Sequence, residues 1–410
     1  MRILYLGTLC SPGKYEALLN GCKVKPSVAS VVFERALMSG FAENNSSVDV
    51  LSYPMVPTFP KSQLLYFGGD DEIIEGYTCH FLGTINLPIL KQLTRRISAC
   101  RSIKKWAKKN AGKGVILTYS IPPFLAKDLL YYRKKYNLKI VAIIPDLIKN
   151  MYINHKSSFM INTLRELYLK KPLAIQGEYD GYVYLTEGMR DEINDKKPYI
   201  VMEGILDRLD AIEQSDLYKS TKRAIMYAGR MHEKYGVLNL VEAFRQVKND
   251  NIELWLFGDG SAVNEIICSS QKDHRIKYFG SVTRQEVLLY EKQATLLVNP
   301  RSTKEQFTKY SFPSKTIEYM ASGTPLLTTR LEGIPPEYFD HSFSIEDNAV
   351  CQIKDALVSI LNLSDEELKQ KGKIAQQFVR ENKNAKTQSE RIVTFLLKLV
   401  GEKNENNCKG

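Results

Sequence analysis

Apolar positions along this chain follow two rhythms, and their alternation predicts the fold. MRILYLGT has the compact apolar look of a buried first strand, a Gly/Ser/Pro loop (SPGKYEALLNG) follows, and the spacing over 27–38 predicts a helix. GVILTYS then predicts a strand, PPFLAKDLLYYRKKY a helix, LKIVAIIP a strand, and YDGYVYL a strand before the helix opened by TEGMRDEI. The pattern restarts near residue 222: RAIMYAG, IELWLFG, IKYFG and TLLVNP read as strands, with VLNLVEAFRQV and SAVNEIICSS as helices between them. Such alternation with short connections implies parallel strands covered by helices, in two α/β units of doubly wound, Rossmann-like type. Residues 196–208 read as the connector, and 364–400 as helical.

Composition narrows the class. A chain of 410 residues that is 44% apolar has ample material for two or three domains, and no run of apolar residues is long enough to cross a membrane. The short run ILYLGTLC reads as a buried strand, not a secretory signal. Seven scattered cysteines without C-x-x-C spacing read as reduced thiols, which points to the cytosol, and five histidines without ligand spacing predict no metal site. The net charge of +11 is uneven: residues 1–200 carry 28 Lys and Arg against 17 Asp and Glu, whereas 201–410 carry 29 of each. The excess therefore belongs to the first half, where it can face nucleic acid, anionic lipid or a phosphorylated substrate.

Ligands of doubly wound sheets bind beyond the carboxyl ends of the strands, so the loops there are the places to look for chemistry. In YAGRMHEKYG, Gly229 allows a tight turn, and Arg230 and Lys234 can converge on a diphosphate near a helix start, or form a solvated charge pair. LWLFGDG ends in Gly-x-Gly but does not complete a dinucleotide fingerprint, because Val263 stands where the third glycine belongs. In FTKYSFPSKTIEYMASGTPLL a helix starting at Pro313 or Ser314 turns its free N–H groups toward an anion. Lys315 can add a point charge, and Glu318, one turn in, can accept both hydroxyls of a ribose or simply pair with Lys315 on the surface.

Together, G-R-x-x-x-K-x-G, an apolar strand to G-D-G, I-K-Y-F-G and F-P-S-K-T-I-E-Y-M-A-S-G-T-P resemble the family 4 glycosyltransferases of GT-B fold, of the type that builds bacterial surface polysaccharides. The likeness is clear from Glu203 to Pro325 and weak before it. It implies two Rossmann-like domains across a cleft: residues 1–200 for the acceptor, 201–375 for the nucleotide sugar, a C-terminal helix over 376–400 that can pack back on the first domain, and a disordered tail over 401–410. It implies a retaining transfer of a hexosyl-type sugar from a UDP or GDP sugar to an acceptor hydroxyl, with no cofactor and no metal, because Arg230 and Lys234 hold the diphosphate. Glu318 is carried over to the ribose, and the loop around Tyr278, Phe279 and Gly280 to the base. The family's first signature glutamate is Tyr310 here. The hydroxyl of Tyr310, or backbone N–H groups near Phe312 and Pro313, are the candidates for the contact to the donor sugar.

On the acceptor side Asp146, after LKIVAIIP, can orient or deprotonate a hydroxyl, or cap the next helix. Tyr119 and Ser120 share that edge, and Gly13 and Lys14 are candidates for a phosphate contact or a plain loop. Between 76 and 127 no acidic residue occurs, while Lys and Arg accumulate over 90–113 beside Leu90, Leu93, Ile97, Cys100, Ile103 and Trp106 at helical spacing. That stripe predicts a helix facing either the core or, with its basic side, the anionic inner face of a membrane, where a lipid-linked glycan acceptor would be found. No nucleic-acid motif accompanies the charge, so nucleic acid is not expected as a partner. Two other classes share these features, a sugar-nucleotide epimerase and a non-catalytic nucleotide-sugar-binding scaffold.

Overall fold

The computed structural model describes residues 1–24, 26, 29–148, 159–206 and 220–401. The chain divides into two compact units, Met1–Asp207 with Asn384–Gly410, and Arg208–Lys383. The tail read as disordered lies, from 402 on, outside the described residues.

In the first unit seven parallel strands run in the order Tyr199–Val201, Gly181–Tyr184, Lys139–Ile144, Gly114–Tyr119, Arg2–Gly7, Val48–Ser52, Tyr77–Phe81, with Asp71–Ile74 antiparallel at the edge. The first strand is buried at five of its six positions, as the run ILYLG requires for a strand covered on both faces. It pairs with Val48–Ser52 on one side and Gly114–Tyr119 on the other. Strand order therefore reverses at its carboxyl end, which creates a crevice there. The stretch read as a connector, 196–208, holds the division between the two units and also supplies the strand Tyr199–Val201; three residues are too few for any periodicity to show.

Two helical expectations change. The helix expected over 376–400 is two, Asp365–Asn382 and Ala385–Val400, because Asn384 caps the second by accepting from the backbone N–H of Thr387 at 2.8 Å. Ala385–Val400 lies against Ala29–Glu43: Asn44 Nδ2 donates to the carbonyl of Lys386 at 2.8 Å, and Ile392, Phe395 and Leu396 join the first unit's core. The basic helix, Leu90–Lys109, does not bury one continuous apolar stripe. Ala99, Ile103, Trp106 and Ala107 are buried, but Leu90, Leu93 and Ile97 are exposed, while Lys91 and Arg95 are buried.

The second unit is a six-stranded, all-parallel sheet in the order Ile276–Gly280, Ile252–Phe257, Arg223–Ala228, Leu296–Asn299, Leu326–Thr329, Phe343–Ile345. Its first strand lies beside its fourth, so here too the order reverses at the centre. Gly236 turns the chain into the helix Val237–Gln246 at φ 78°, and a Cβ on it would stand 1.7 Å from the carbonyl oxygen of Pro300. Gly236→Ala therefore adds left-handed strain to a backbone clash, and we expect a loss of about 2 kcal/mol or more, read as a fall in Tm of roughly 4 °C or more.

Candidate active site

The site follows from the second sheet's strand order. Ile225 and Met226 pair with Leu296 and Leu297, so the strand ends at Ala228 and Asn299 open onto the same crevice. A cavity of about 200 Å³ lies there, lined by Tyr227, Ala228, Gly229, Arg230, Tyr235, Asn299, Arg301, Lys315 and Tyr319. Tyr319, on the helix Lys315–Ser322, fixes one wall: its hydroxyl accepts from the N–H of Ala228 at 2.8 Å and donates to that residue's carbonyl at 3.0 Å. The hydroxyl of Tyr227 donates to the carbonyl of Arg230 at 3.0 Å, which holds the turn after the first strand.

Every charged residue of the lining is a cation. Arg230 is exposed, and no carboxylate among the described residues pairs with it. Arg301 is half-buried, with its guanidinium 5.1 Å from the centre of the Tyr235 ring. Burial lowers its pKa from the ordinary value, and the surrounding tyrosines oppose that. A guanidinium stays charged in any case, so a positive charge faces the cavity. Lys234 lies on the turn Glu233–Tyr235 with its Nζ 5.3 Å from the Tyr235 ring and 5.6 Å from that of Phe307. Lys234 and Arg301 thus both lie against the Tyr235 ring.

The helix Lys315–Ser322 begins with exposed Ser314 and has no side-chain cap; the N–H of Thr316 is taken by the carbonyl of Pro313, which leaves those of Ser314 and Lys315 for an anion. Lys315 Nζ bonds Glu318 and, at 3.3 Å, Glu291 Oε1. Burial alone would lower the Lys315 pKa, but Glu318 and Glu291 raise it on balance. Burial alone would raise that of Glu318, but Lys315 holds it below the usual value. Glu291 is fully buried, and burial together with the Glu318 charge pushes its carboxyl up to about 9. Its Oε2 has no donor among the described residues, which is the arrangement of a protonated carboxyl that itself donates to Glu318. Arg284 Nε approaches Glu318 Oε2 at 3.9 Å.

Of the residues singled out in the sequence, Gly229, Arg230 and Lys315 line this cavity. Lys234 lies against the Tyr235 ring, Ser314 precedes the helix that carries Lys315, and Glu318 pairs with Lys315. Tyr310 follows the turn Gln306–Lys309, its N–H donating to the carbonyl of Phe307 at 3.0 Å. Phe312 is buried against Tyr338 with ring centres 5.4 Å apart, and Pro313 accepts from the N–H of Thr316 at 2.8 Å. Tyr278 donates to the carbonyl of Gly258 at 2.8 Å, and Phe279 stacks on Phe257 at 4.6 Å. Gly258 has φ 133°, and a Cβ there would meet the carbonyl of Gly229 at 1.8 Å, so the Gly-x-Gly turn serves the packing of two strand ends. Sequence reasoning missed Arg301, Tyr235 and Glu291; the only local signal was the arginine that directly follows TLLVNP.

In the first unit, Tyr119 and Ser120 line a larger cavity of about 560 Å³ at the corresponding reversal of strand order, together with Thr8, Tyr53, Lys91 and Arg95. Ser120 sits there at φ 63°, a conformation costly for a residue with a Cβ. Asp146 follows the strand Lys139–Ile144 and accepts from the N–H of Leu147 at 2.8 Å. Lys14 and Gly13 lie elsewhere, on the helix Pro12–Leu19, with Lys14 paired to Asp70 and 4.1 Å from the Phe81 ring centre.

Known proteins bear on this geometry. No curated protein matches the chain. Among solved structures, sucrose-phosphate synthase from Thermosynechococcus elongatus superposes with a TM-score of 0.64 at 16% identity, covering 98% of this chain and 100% of its own. Anabaena HepE in complex with UDP gives 0.60 at 12%, covering 97% and 100%. The lipopolysaccharide outer core galactosyltransferase WaaB gives 0.57 at 13%, covering 97% and 99%. These likenesses span the whole chain, and the fold they share with it is that of the GT-B glycosyltransferases. Residues 222–362, which hold every wall of the cavity in the second unit, match the family model Glycosyl transferases group 1.

Proposed function

We propose that this protein moves a sugar, with retention of configuration, from a nucleotide diphosphate sugar to a hydroxyl of a glycan or lipid-linked acceptor, in the building of surface polysaccharide. The observation that carries the reading is the crevice at the strand-order reversal of the second unit, where Arg230, Arg301 and an uncapped helix start surround a cavity with no carboxylate among its lining residues. A diphosphate suits that field. The bond from the anomeric carbon to the diphosphate oxygen breaks, the nucleoside diphosphate leaves as an anion, and the acceptor oxygen bonds the same carbon from the same face. Arg230, Lys234 and Arg301 stabilise the departing charge, which makes electrostatics the main catalytic contribution. The acceptor's proton goes to the leaving phosphate or to Asp146. Glu318 takes the ribose, and the backbone around Tyr278 and Phe279 the base.

No metal is needed in this scheme. No described helix is long and apolar enough to cross a membrane. The exposed Leu90, Leu93 and Ile97, beside exposed Arg101, Lys104, Lys105 and Lys108, suit residence on the inner, anionic face of a membrane, at about 1 kcal/mol per cation near the surface. HepE was solved with UDP, which makes UDP the first nucleotide to try. A panel of UDP, GDP, ADP and their sugars should show one nucleotide raising Tm, since a ligand at about 100 times its Kd stabilises by about 2.7 kcal/mol. That sugar nucleotide should be consumed only with acceptor. No shift with any nucleotide would overturn the donor assignment, and isomerisation of the donor without acceptor would make the protein an epimerase.

A further inference from the structure

The first half of the helix Leu90–Lys109 is inverted relative to the usual amphipathic pattern: apolar Leu90, Leu93 and Ile97 face outward while Lys91 and Arg95, four residues apart, are turned inward and buried. Both line the first unit's cavity. Neither meets a carboxylate among the described residues. Lys91 Nζ donates to the carbonyl of Val56 and, at 3.2 Å, to Thr58 Oγ1. Arg95 donates from Nη2 to the carbonyl of Pro54 at 2.7 Å and from Nε to Thr84 Oγ1 at 3.4 Å.

Two like charges at this spacing repel, and burying a cation against neutral partners alone is costly. Tethering residues 54–58 would need hydrogen bonds but no charge. The charges make sense when an anion completes them, and an ammonium and a guanidinium with N–H groups left over can supply it with charge-assisted bonds. Burial, reinforced by Arg95, lowers the pKa of Lys91 to about 7, so a bound anion would also secure its proton. Beside them Gln92 buries its Oε1 without a donor among the described residues, a place for a hydroxyl. Tyr53, Val56, Ile121 and Phe124 supply apolar walls, and about 560 Å³ is the size of a site for a sugar or a short amphiphile.

We propose that Lys91 and Arg95 form an anion site that takes the acidic group of the acceptor, a phosphate or a carboxylate, in the first unit's cavity. This deepens the acceptor half of the transferase reading and rests on it. The chemistry has two sources, the phosphate of a prenyl carrier and the carboxylate of an acidic sugar. The test uses the full chain with UDP present and two matched pairs of probes, farnesyl phosphate against farnesol and methyl glucuronide against methyl glucoside, followed by intrinsic fluorescence. One anion should bind at least about tenfold more tightly than its neutral partner, and the pair in which this happens names the source. Lys91→Met and Arg95→Met should each erase most of that preference while leaving the UDP-induced rise in Tm unchanged. Should those variants fail to fold, the wild type still reports: reductive methylation of Lys91, read by peptide mass spectrometry, should be slowed by the anion and not by its neutral partner. Equal binding within both pairs, a preference that survives in both variants, or a Lys91 that the anion leaves unprotected would each overturn the proposal. A missing UDP response would instead indict the donor assignment, which keeps the two failures apart.

Discussion

Arg301→Ala is expected to reduce turnover by about 10²-fold or more, the cost of removing one preorganised charge from a leaving group, with the fold intact. The guanidinium has no carboxylate partner among the described residues, so its loss strands no charge; it gives up its contact with Tyr235 and its place among the tyrosines of the cavity. Arg230→Ala and Lys234→Ala, both at exposed side chains, should each lower turnover by at least about tenfold. The ordering is informative. Arg301 sits deepest and in the least water, where a charge acts through the lowest effective dielectric, so its loss should exceed the other two. Steady-state rates with the accepted sugar nucleotide, beside circular dichroism and Tm of each variant, decide it. Near-normal kinetics in all three would mean that the positive crevice of the second unit does not serve the donor.

That Arg301 escaped the sequence while Arg230 did not shows where local reading stops. Arg230 announces itself because a glycine after an apolar strand is a local pattern. Arg301 matters only because the first strand of its sheet lies beside the fourth, a pairing between residues about seventy positions apart that no window of the chain displays. The helix at Lys315–Ser322 and both doubly wound sheets were legible for the same reason as Arg230: propensity, period and turn residues all act over short range. The basic helix was legible as a helix but not in its orientation. Its period showed an apolar stripe from Leu90 to Trp106, and only packing decided that Leu90, Leu93 and Ile97 turn outward while Lys91 and Arg95 turn inward. Gly258 shows the converse, a pattern visible in sequence whose reason, close approach to the carbonyl of Gly229, is tertiary. Glu291 sits in RQEVLLYEKQ among ordinary helix formers, and nothing there foretells a carboxyl buried beside Glu318 and Lys315.

The Glu291, Lys315 and Glu318 group makes the second large expected effect. Glu318→Ala should weaken binding of the nucleotide by about 10- to 100-fold, the worth of about 1.5–3 kcal/mol for hydrogen bonds to a charged acceptor. Glu291→Gln should leave that affinity near the wild-type value at pH 7, because an amide reproduces a carboxyl that already holds its proton. The pH dependence follows from the same proton. The Glu291 pKa is raised from 4.5 to about 9 by burial and by Glu318. Between those values the folded protein holds a proton that the unfolded chain has released, so this group's contribution to stability falls as pH rises through that window. Above about 9 the second carboxylate competes for Lys315 and repels a diphosphate, so wild-type affinity for the nucleotide should drop there. Glu291→Gln removes the titrating group and should flatten both trends. Calorimetric affinities and denaturation midpoints between pH 6 and 9.5, for wild type and both variants, provide the measurement. A Glu291→Gln protein that loses affinity at pH 7 as severely as Glu318→Ala would mean that Glu291 works as an ionised carboxylate, and that Lys315 is held by two charges, not one.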